Sequence, residues 1–481
     1  MRRDKSNTNL LEIENYTKNC SIFHNSIIQV LSGINMQGVY KQLNKTKSRG
    51  FEAGKLFNLI LILPYWGISN IRGLFNGGLA DQMEAKKDAF YEFLKNDKIC
   101  WRSILDSFTR QFNKAIAENS EPSDAPQCLI VDDTFVSKTG KTIEFIGKVF
   151  DHALRINTLG YKILTLCLSD GKTLLPVDLS IHSEARKDGR RGLKLKDLAA
   201  QFSKKRAVDS KNKARIEEVF NDKISTAISM IKKALKLNIS PKYVLADSWF
   251  ICEKFLRELS QKSLTNRRPI DVVGMMKTNF KIEIEGKALA ANNVPNVYTS
   301  NIKYCRKLKG HYIKKKATIK GMEIMAYWVK PRGQETWKLL ISTDLKLSFN
   351  KVMELYSMRW SIEVFFKDCK QNLGLEKCQS TDFNAQLASI TLCFINYGIL
   401  AVKKRINTYE TIGGMFREIR NQTFEKNLVE KIWQLFQRVF NLILFDLFDD
   451  WELFIQKLII YQDNLQTMIL EISQLFKPEP T

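Results

Sequence analysis

The hydrophobic period of the chain changes twice, and that double change limits the fold more than any other feature. Up to residue 120, apolar side chains recur at helical spacing, as in FYEFLKNDKICWRSILDSFTRQF. The polar stretch ENSEPSDAPQ, residues 118–127, breaks the pattern, and Pro122 and Pro126 mark it as a linker. Three runs follow that read as consecutive strands: CLIVDDT (128–134), KTIEFIGKVFDH (141–152) and GYKILTLCLSDGKTLLPVDLSIHS (160–183), the last turning at Asp170-Gly171. Residues 214–236 predict an amphipathic helix, KYVLADSWF (242–250) a buried strand running into an acid, and DVVGMMKTN (271–279) another strand. Residues 280–345 are strand-like and polar, and from Lys351 the period is helical again. This order implies an α/β protein built on a mixed sheet flanked by helices.

Charge narrows the function. The 481 residues, enough for about three domains at roughly 150 residues each, carry 75 Lys+Arg against 51 Asp+Glu, a formal net charge of +24. Such a surface attracts polyanions, nucleic acid first among them. An anionic membrane is the other reading of charge alone, but no basic helix with a strong apolar face stands out. The apolar run Leu56–Trp66 is too short to span a bilayer, and Asn441–Tyr461 carries Asp446, Asp449, Asp450 and Glu452, so both read as buried helices. MRRDKSNTNLLEIENY lacks the apolar core of a signal peptide. Nine dispersed cysteines form no C-x-x-C pair and the four histidines have no ligand spacing with them, which argues against zinc and suits a reducing cytosol.

The acids point to a chemistry. Phosphoryl transfer on DNA uses two divalent ions about 4 Å apart, and Mg²⁺ takes oxygen ligands, so carboxylates from distant parts of the chain have to converge. Asp132 and Asp133 close the run CLIV, and Asp247 closes YVLA. An acid at the C-terminal end of a buried strand lies at the sheet edge, where open α/β folds bind ligands; a turn or helix-cap aspartate is the plainer reading of either alone. A third acid lies in YSMRWSIEVFFKDCK (356–370). At about 100° per residue, with Tyr356 at 0°, Arg359 falls near 300°, Glu363 near 340° and Lys370 near 320°. The neighbouring arc holds Met358, Ile362, Phe365, Phe366 and Cys369, a core face. Glu363 can ligate metal, Arg359 and Lys370 can hold phosphates, and Tyr356 can hydrogen-bond a phosphate or pack on sugar. A solvated helix face with an Arg–Glu pair is equally compatible.

Tyr-x2-Arg-x3-Glu-x6-Lys, here Tyr356, Arg359, Glu363 and Lys370, resembles the signature of insertion-sequence transposases of the IS-four family. VDDT (131–134) resembles the family's first-Asp region and ADSWF (246–250) its second, and the 115 residues between Asp247 and Glu363 resemble its β-rich insertion. The likeness covers about residues 120–400. It implies an RNase-H-like core with a DDE triad of Asp132, Asp247 and Glu363 as metal ligands. In the family pattern, Asp followed by any residue and Thr favours Asp132 over Asp133. It also implies two Mg²⁺ ions (Mn²⁺ substituting), terminal inverted repeats and target DNA as partners, and a homodimer in the DNA complex. The implied route is cut-and-paste, through a nick, a freed 3′ hydroxyl, a hairpin and joining to target, in a prokaryotic cytoplasm at the nucleoid. Mapped on the chain, the expected regions are a helical DNA-end-binding region (1–120), a catalytic core in two parts (121–270 and 349–405), a β-rich insertion (271–348) and a helical, dimerising C-terminal region (406–481). The alternative is a catalytically inactive, transposase-derived DNA-binding protein.

Other features are less decided. The basic stretch 184–216, from Arg186 to Arg215, reads equally as a DNA-backbone contact or as a solvated segment. Trp328 and Trp337 of the insertion either offer a stacking surface for a flipped base or pack the insertion's own core, the latter being the simpler reading. His182 reads as structural.

Overall fold

The computed structural model describes residues 35–46, 49–68, 70–76, 85–151, 155–184, 193–237, 239–260, 270–406 and 409–421. Residues 1–34, Arg186, Lys187, Arg190 and Arg191, the run Asn441–Tyr461 and most of the expected dimerising region lie outside them.

Strand β1 (Cys128–Ser137) organises the sheet. Its residues alternate between two hydrophobic clusters: Cys128 and Ile130 enter one, Leu129 and Val131 the other. A strand covered on both faces reads as an unbroken apolar run, which is why CLIV was legible. β1 pairs antiparallel with β3 (Ile156–Ser169) and parallel with β5 (Tyr243–Ala246). β4 (Leu174–His182) flanks β3, and β6 (Asp271–Met276) runs parallel to β5. The order β4-β3-β1-β5-β6, three antiparallel strands followed by two parallel to the first, is the RNase-H-like core. A short β2 (Gly147–Asp151) shares the outer edge of β3.

The sheet does not stop at β6. β12 (Lys338–Ser342) pairs antiparallel with it, and β11 (Met322–Pro331), β10 (Gly310–Ile319), β7 (Lys281–Ile284) and β8 (Lys287–Ala290) continue the sheet, with β9 (Lys303–Cys305) on β10. β7–β8 and β10–β11 are two-residue hairpins whose turns, Glu285-Gly286 and Lys320-Gly321, take left-handed backbone angles.

Helices cover both faces. On one side lie α6 (Lys223–Lys236), capped by Asp222, and α7 (Glu253–Ser260). On the other lie the N-terminal helices α1 (Gln37–Asn44), α2 (Ala53–Ile62), α3 (Ile71–Asn76), α4 (Lys87–Lys95) and α5 (Trp101–Asn119), with α8 (Phe349–Met358), α9 (Trp360–Gln371) and α10 (Phe383–Ile406). By length and apolarity α10 would cross a membrane, yet its most apolar window is 94% buried, packed against α5, α4 and strand β4. The approach to α5 is close: a Cβ at Gly398 would lie 2.3 Å from the Phe112 ring.

A buried ion network ties α5 to the sheet. Asp178 of β4 accepts from Arg102 of α5 and from Arg215, each at 3.0 Å, and both arginines also bond Glu218. Burial alone would raise the Asp178 carboxyl, but the guanidinium groups of Arg215 and Arg102 outweigh it and hold it below its usual value.

Three expectations need correction. β1 runs on to Ser137, so Asp132 and Asp133 lie inside the strand rather than at its end; only the parallel ladder with β5 stops at Val131. Residues 141–146 are turns, not strand. The helix expected over 214–236 is divided: Lys213–Glu217 and a 3₁₀ turn at Glu218–Phe220 precede α6.

Candidate active site

The parallel register sets Val131 beside Ala246, so the next residues on each strand, Asp132 and Asp247, leave the ladder side by side. Strand alternation sends Asp132 to the face of Cys128 and Ile130, which α8 and α9 cover, and Asp133 to the opposite face. Arg359 reaches Asp132 from the junction of α8 and α9. Its Nη1 donates to Asp132 Oδ2 at 3.0 Å and its Nη2 to Glu363 Oε1 at 2.5 Å, so one guanidinium joins the first and third acids. Burial, then the Asp247 carboxylate, push the Asp132 carboxyl up to about 7, against the Arg359 guanidinium and the Asp133 amide. Asp247 Oδ1 accepts from the Trp249 amide at 2.9 Å.

The helical stripe is not one uninterrupted helix. It passes from α8 to α9 at Arg359, whose backbone stays helical. Tyr356 remains with the acids: the Arg359 guanidinium carbon lies 5.6 Å from its ring centroid, and burial raises its phenol while Arg359 opposes the shift. The apolar arc behaves as its spacing predicts, with Ile362, Phe365, Phe366 and Cys369 buried and Met358 partly so. Lys370 is not brought to the carboxylates. Its Nζ donates to the Phe135 carbonyl at 2.6 Å and pairs with Glu376 at 3.3 Å, which fastens α9 to the far part of β1.

Asp133 has other partners. Lys223, at the start of α6, and Lys162 of β3 (3.6 Å) both pair with it. The Lys223 ammonium also lies 4.1 Å from the centroid of the Trp249 ring. Neither lysine nor Trp249 stands out in the sequence, although Trp249 falls inside ADSWF and Lys223 follows the Asp222 cap directly. His182 borders this cluster: burial, then Lys223, lower its imidazole to about 4, so it is neutral at physiological pH.

The tryptophans of the expected insertion pack into the cluster that also holds Leu129 and Val131 of β1. Trp328 is fully buried with its indole N–H on the Ala291 carbonyl at 2.7 Å, and Trp337 packs at the rim of the same cluster. Of the basic stretch, Arg206 pairs with the buried Glu144 and Arg215 with Asp178, while Lys194, Lys196, Lys205, Lys211 and Lys213 are exposed. All cysteines of the described residues are free, and no three His, Cys, Asp or Glu side chains among those residues already form a closed metal-binding group.

Two family models match the chain. One, described as DDE superfamily endonuclease, covers residues 77–292 and so contains Asp132 and Asp247. The other, the archaeal transposase ISC1217, covers residues 198–404 and contains Asp247 and Glu363. No curated protein matches the chain significantly. With an RNase-H-like core and the first two acids side by side at the end of its parallel ladder, the chain is a DNA transposase of the DDE superfamily.

Proposed function

We propose that Asp132, Asp247 and Glu363 are the catalytic, metal-holding acids of this transposase, that Tyr356 and Arg359 position DNA phosphates beside them, and that Lys370 holds a DNA phosphate farther along β1. The observation that carries the reading is the single guanidinium shared by Asp132 and Glu363 next to Asp247. Carboxylates gathered around one cation from strand and helix suit a multivalent cation, and an all-oxygen donor set suits a hard one, Mg²⁺ with Mn²⁺ as substitute. When two such ions are bound, they activate the attacking water or 3′ hydroxyl and stabilise the leaving oxygen. The protein's part is to hold the acids in place and to steer the DNA. Arg359 exchanges a carboxylate for a phosphate, for which its planar fork is equally suited. Lys370 uses two of its three N–H donors on Phe135 and Glu376 and offers the third to the backbone of the DNA. Tyr356 packs against the Arg359 guanidinium and holds it over the acids.

The spacing Tyr356, Arg359, Glu363, Lys370 supports placing the chain in the IS-four family, acting by cut-and-paste on terminal inverted repeats as a homodimer at the prokaryotic nucleoid. The completeness of the acid set favours an active enzyme over an inactive DNA-binding descendant. The test is cleavage of labelled DNA carrying the element's own end, in Mg²⁺ and in EDTA. Metal-dependent cleavage at the boundary is expected; binding with no cleavage in any divalent ion would leave the inactive descendant.

A further inference from the structure

We propose that Trp249 and Lys223 form a second DNA contact on the flank of the acid site, where the indole stacks on an unpaired nucleobase and the Lys223 ammonium holds the adjoining phosphate. The inference rests on the reading that Asp132 and Asp247 cut DNA, and it adds where the strand leaving the cut is held.

Four observations converge. First, the indole is 40% exposed, a large apolar surface left to solvent beside two carboxylates. Second, its position is fixed at the cutting point, because its own amide is bonded to Asp247. Third, the ring is braced: the buried Phe250 packs edge-on beneath it at 4.9 Å between centroids, and the Lys223 ammonium lies 4.1 Å from its centre. Fourth, positive charge is fixed at the ring: Lys223 and, behind it, the buried Lys162 both pair with the Asp133 carboxylate, and Lys223 keeps part of its side chain exposed. An exposed aromatic face beside fixed positive charge is the combination that binds single-stranded nucleic acid with little regard to base. A paired base offers no free face, so the contact selects a strand already opened at the cut. Asp133 acquires a purpose in this arrangement: it holds Lys223 against the indole.

The test separates stacking from catalysis by working in EDTA with the full-length protein. The probe is a short single-stranded oligonucleotide carrying one 2-aminopurine, compared with a blunt duplex of the same sequence. The wild type is expected to quench the single strand's fluorescence and leave the duplex unchanged. Trp249→Ala removes the quenching and weakens single-strand binding by roughly tenfold to a hundredfold. Lys223→Met keeps the quenching and lowers the salt slope of binding by about one. Unchanged quenching and affinity in a Trp249→Ala protein that melts like the wild type would overturn the proposal. Should that variant not fold, Trp249→Leu takes its place, since it keeps apolar bulk but has no ring face: lost quenching supports the contact and retained quenching overturns it. Because no metal is present, these outcomes stand whether or not the carboxylates cut DNA.

Discussion

In the β4-β3-β1-β5-β6 half of the sheet the strands are buried on both faces, and their buried charges are paired, Asp178 with Arg102 and Arg215 and Lys162 with Asp133. Beyond β6, β12 and β11 still feed both clusters, through Leu340, Tyr327 and Val329 on one face and Leu339, Ile341 and Trp328 on the other, and only β10 and β7 alternate, with Ile313, Ala317 and Ile319 of β10 buried and Lys314 and Lys316 exposed. Both halves share one continuous hydrogen-bonded sheet. The first half is rigid where chemistry needs fixed distances. The second is a basic, antiparallel extension whose surface can vary without disturbing the acids. What separates the core strands from β10 and β7 is cover on both faces in one case and alternation in the other.

The sharpest way to break this contrast is at the acids. Asp132→Ala, Asp247→Ala and Glu363→Ala are each expected to lower metal-dependent cleavage on the order of a thousandfold or more while DNA binding persists, whereas Asp133→Ala should cut and lose affinity for single strands. Cleavage assays and binding isotherms on the four variants decide it; normal cutting by Asp132→Ala together with loss in Asp133→Ala would exchange the two aspartates.

The next largest effects concern stability. Removing one partner from the buried network, as in Asp178→Ala, leaves uncompensated guanidinium groups and should cost about 3–5 kcal/mol in urea unfolding. Trp328→Ala, the matching cut in the insertion, should cost a similar 3–5 kcal/mol through its cavity and its orphaned Ala291 carbonyl, with no selective loss of DNA binding. A selective binding defect in a stable Trp328→Ala protein would return that residue to the DNA. At the small end, Lys307→Ala, which removes an exposed pair with Glu354, should leave the melting temperature unchanged within error.

The acid site also predicts a pH dependence. The folded chain binds the Asp132 proton more tightly than the unfolded chain does, because the carboxyl is raised from 3.8 to about 7. This group therefore favours folding most at low pH, and its contribution is lost as pH rises from about 4 to about 7. Asp132→Asn should thus gain stability over the wild type progressively across that window and hold the gain above it, measured as thermal midpoints without metal. Divalent-ion affinity of the wild type should follow the opposite course and weaken below about pH 7, since the ion competes with the proton.

Legibility followed local physics. CLIV and YVLA announced buried strands because both faces are covered, and the acids after them marked the candidate site. The stripe of Arg359 and Glu363 was legible because helical spacing is a short-range rule. The continuation of β1 to Ser137 was not, because it depends on the length of its partner β3, set some thirty residues away. Lys370's attachment to the Phe135 carbonyl was hidden for the same reason: angular position on a helix says nothing about what stands opposite. The Lys223–Trp249 contact joins two segments that no spacing rule connects.

The direct pairing of β12 to β6 has a practical consequence for anyone trimming this protein. The insertion cannot be excised as a detachable module. Its removal would strip β6 of its antiparallel neighbour and turn an interior strand, with Val272 and Val273 fully buried, into a bare sheet edge. A minimal catalytic core made that way would present a ready template for intermolecular strand pairing and precipitate, so a soluble miniature needs a new polar edge strand in place of β12 rather than a shorter loop.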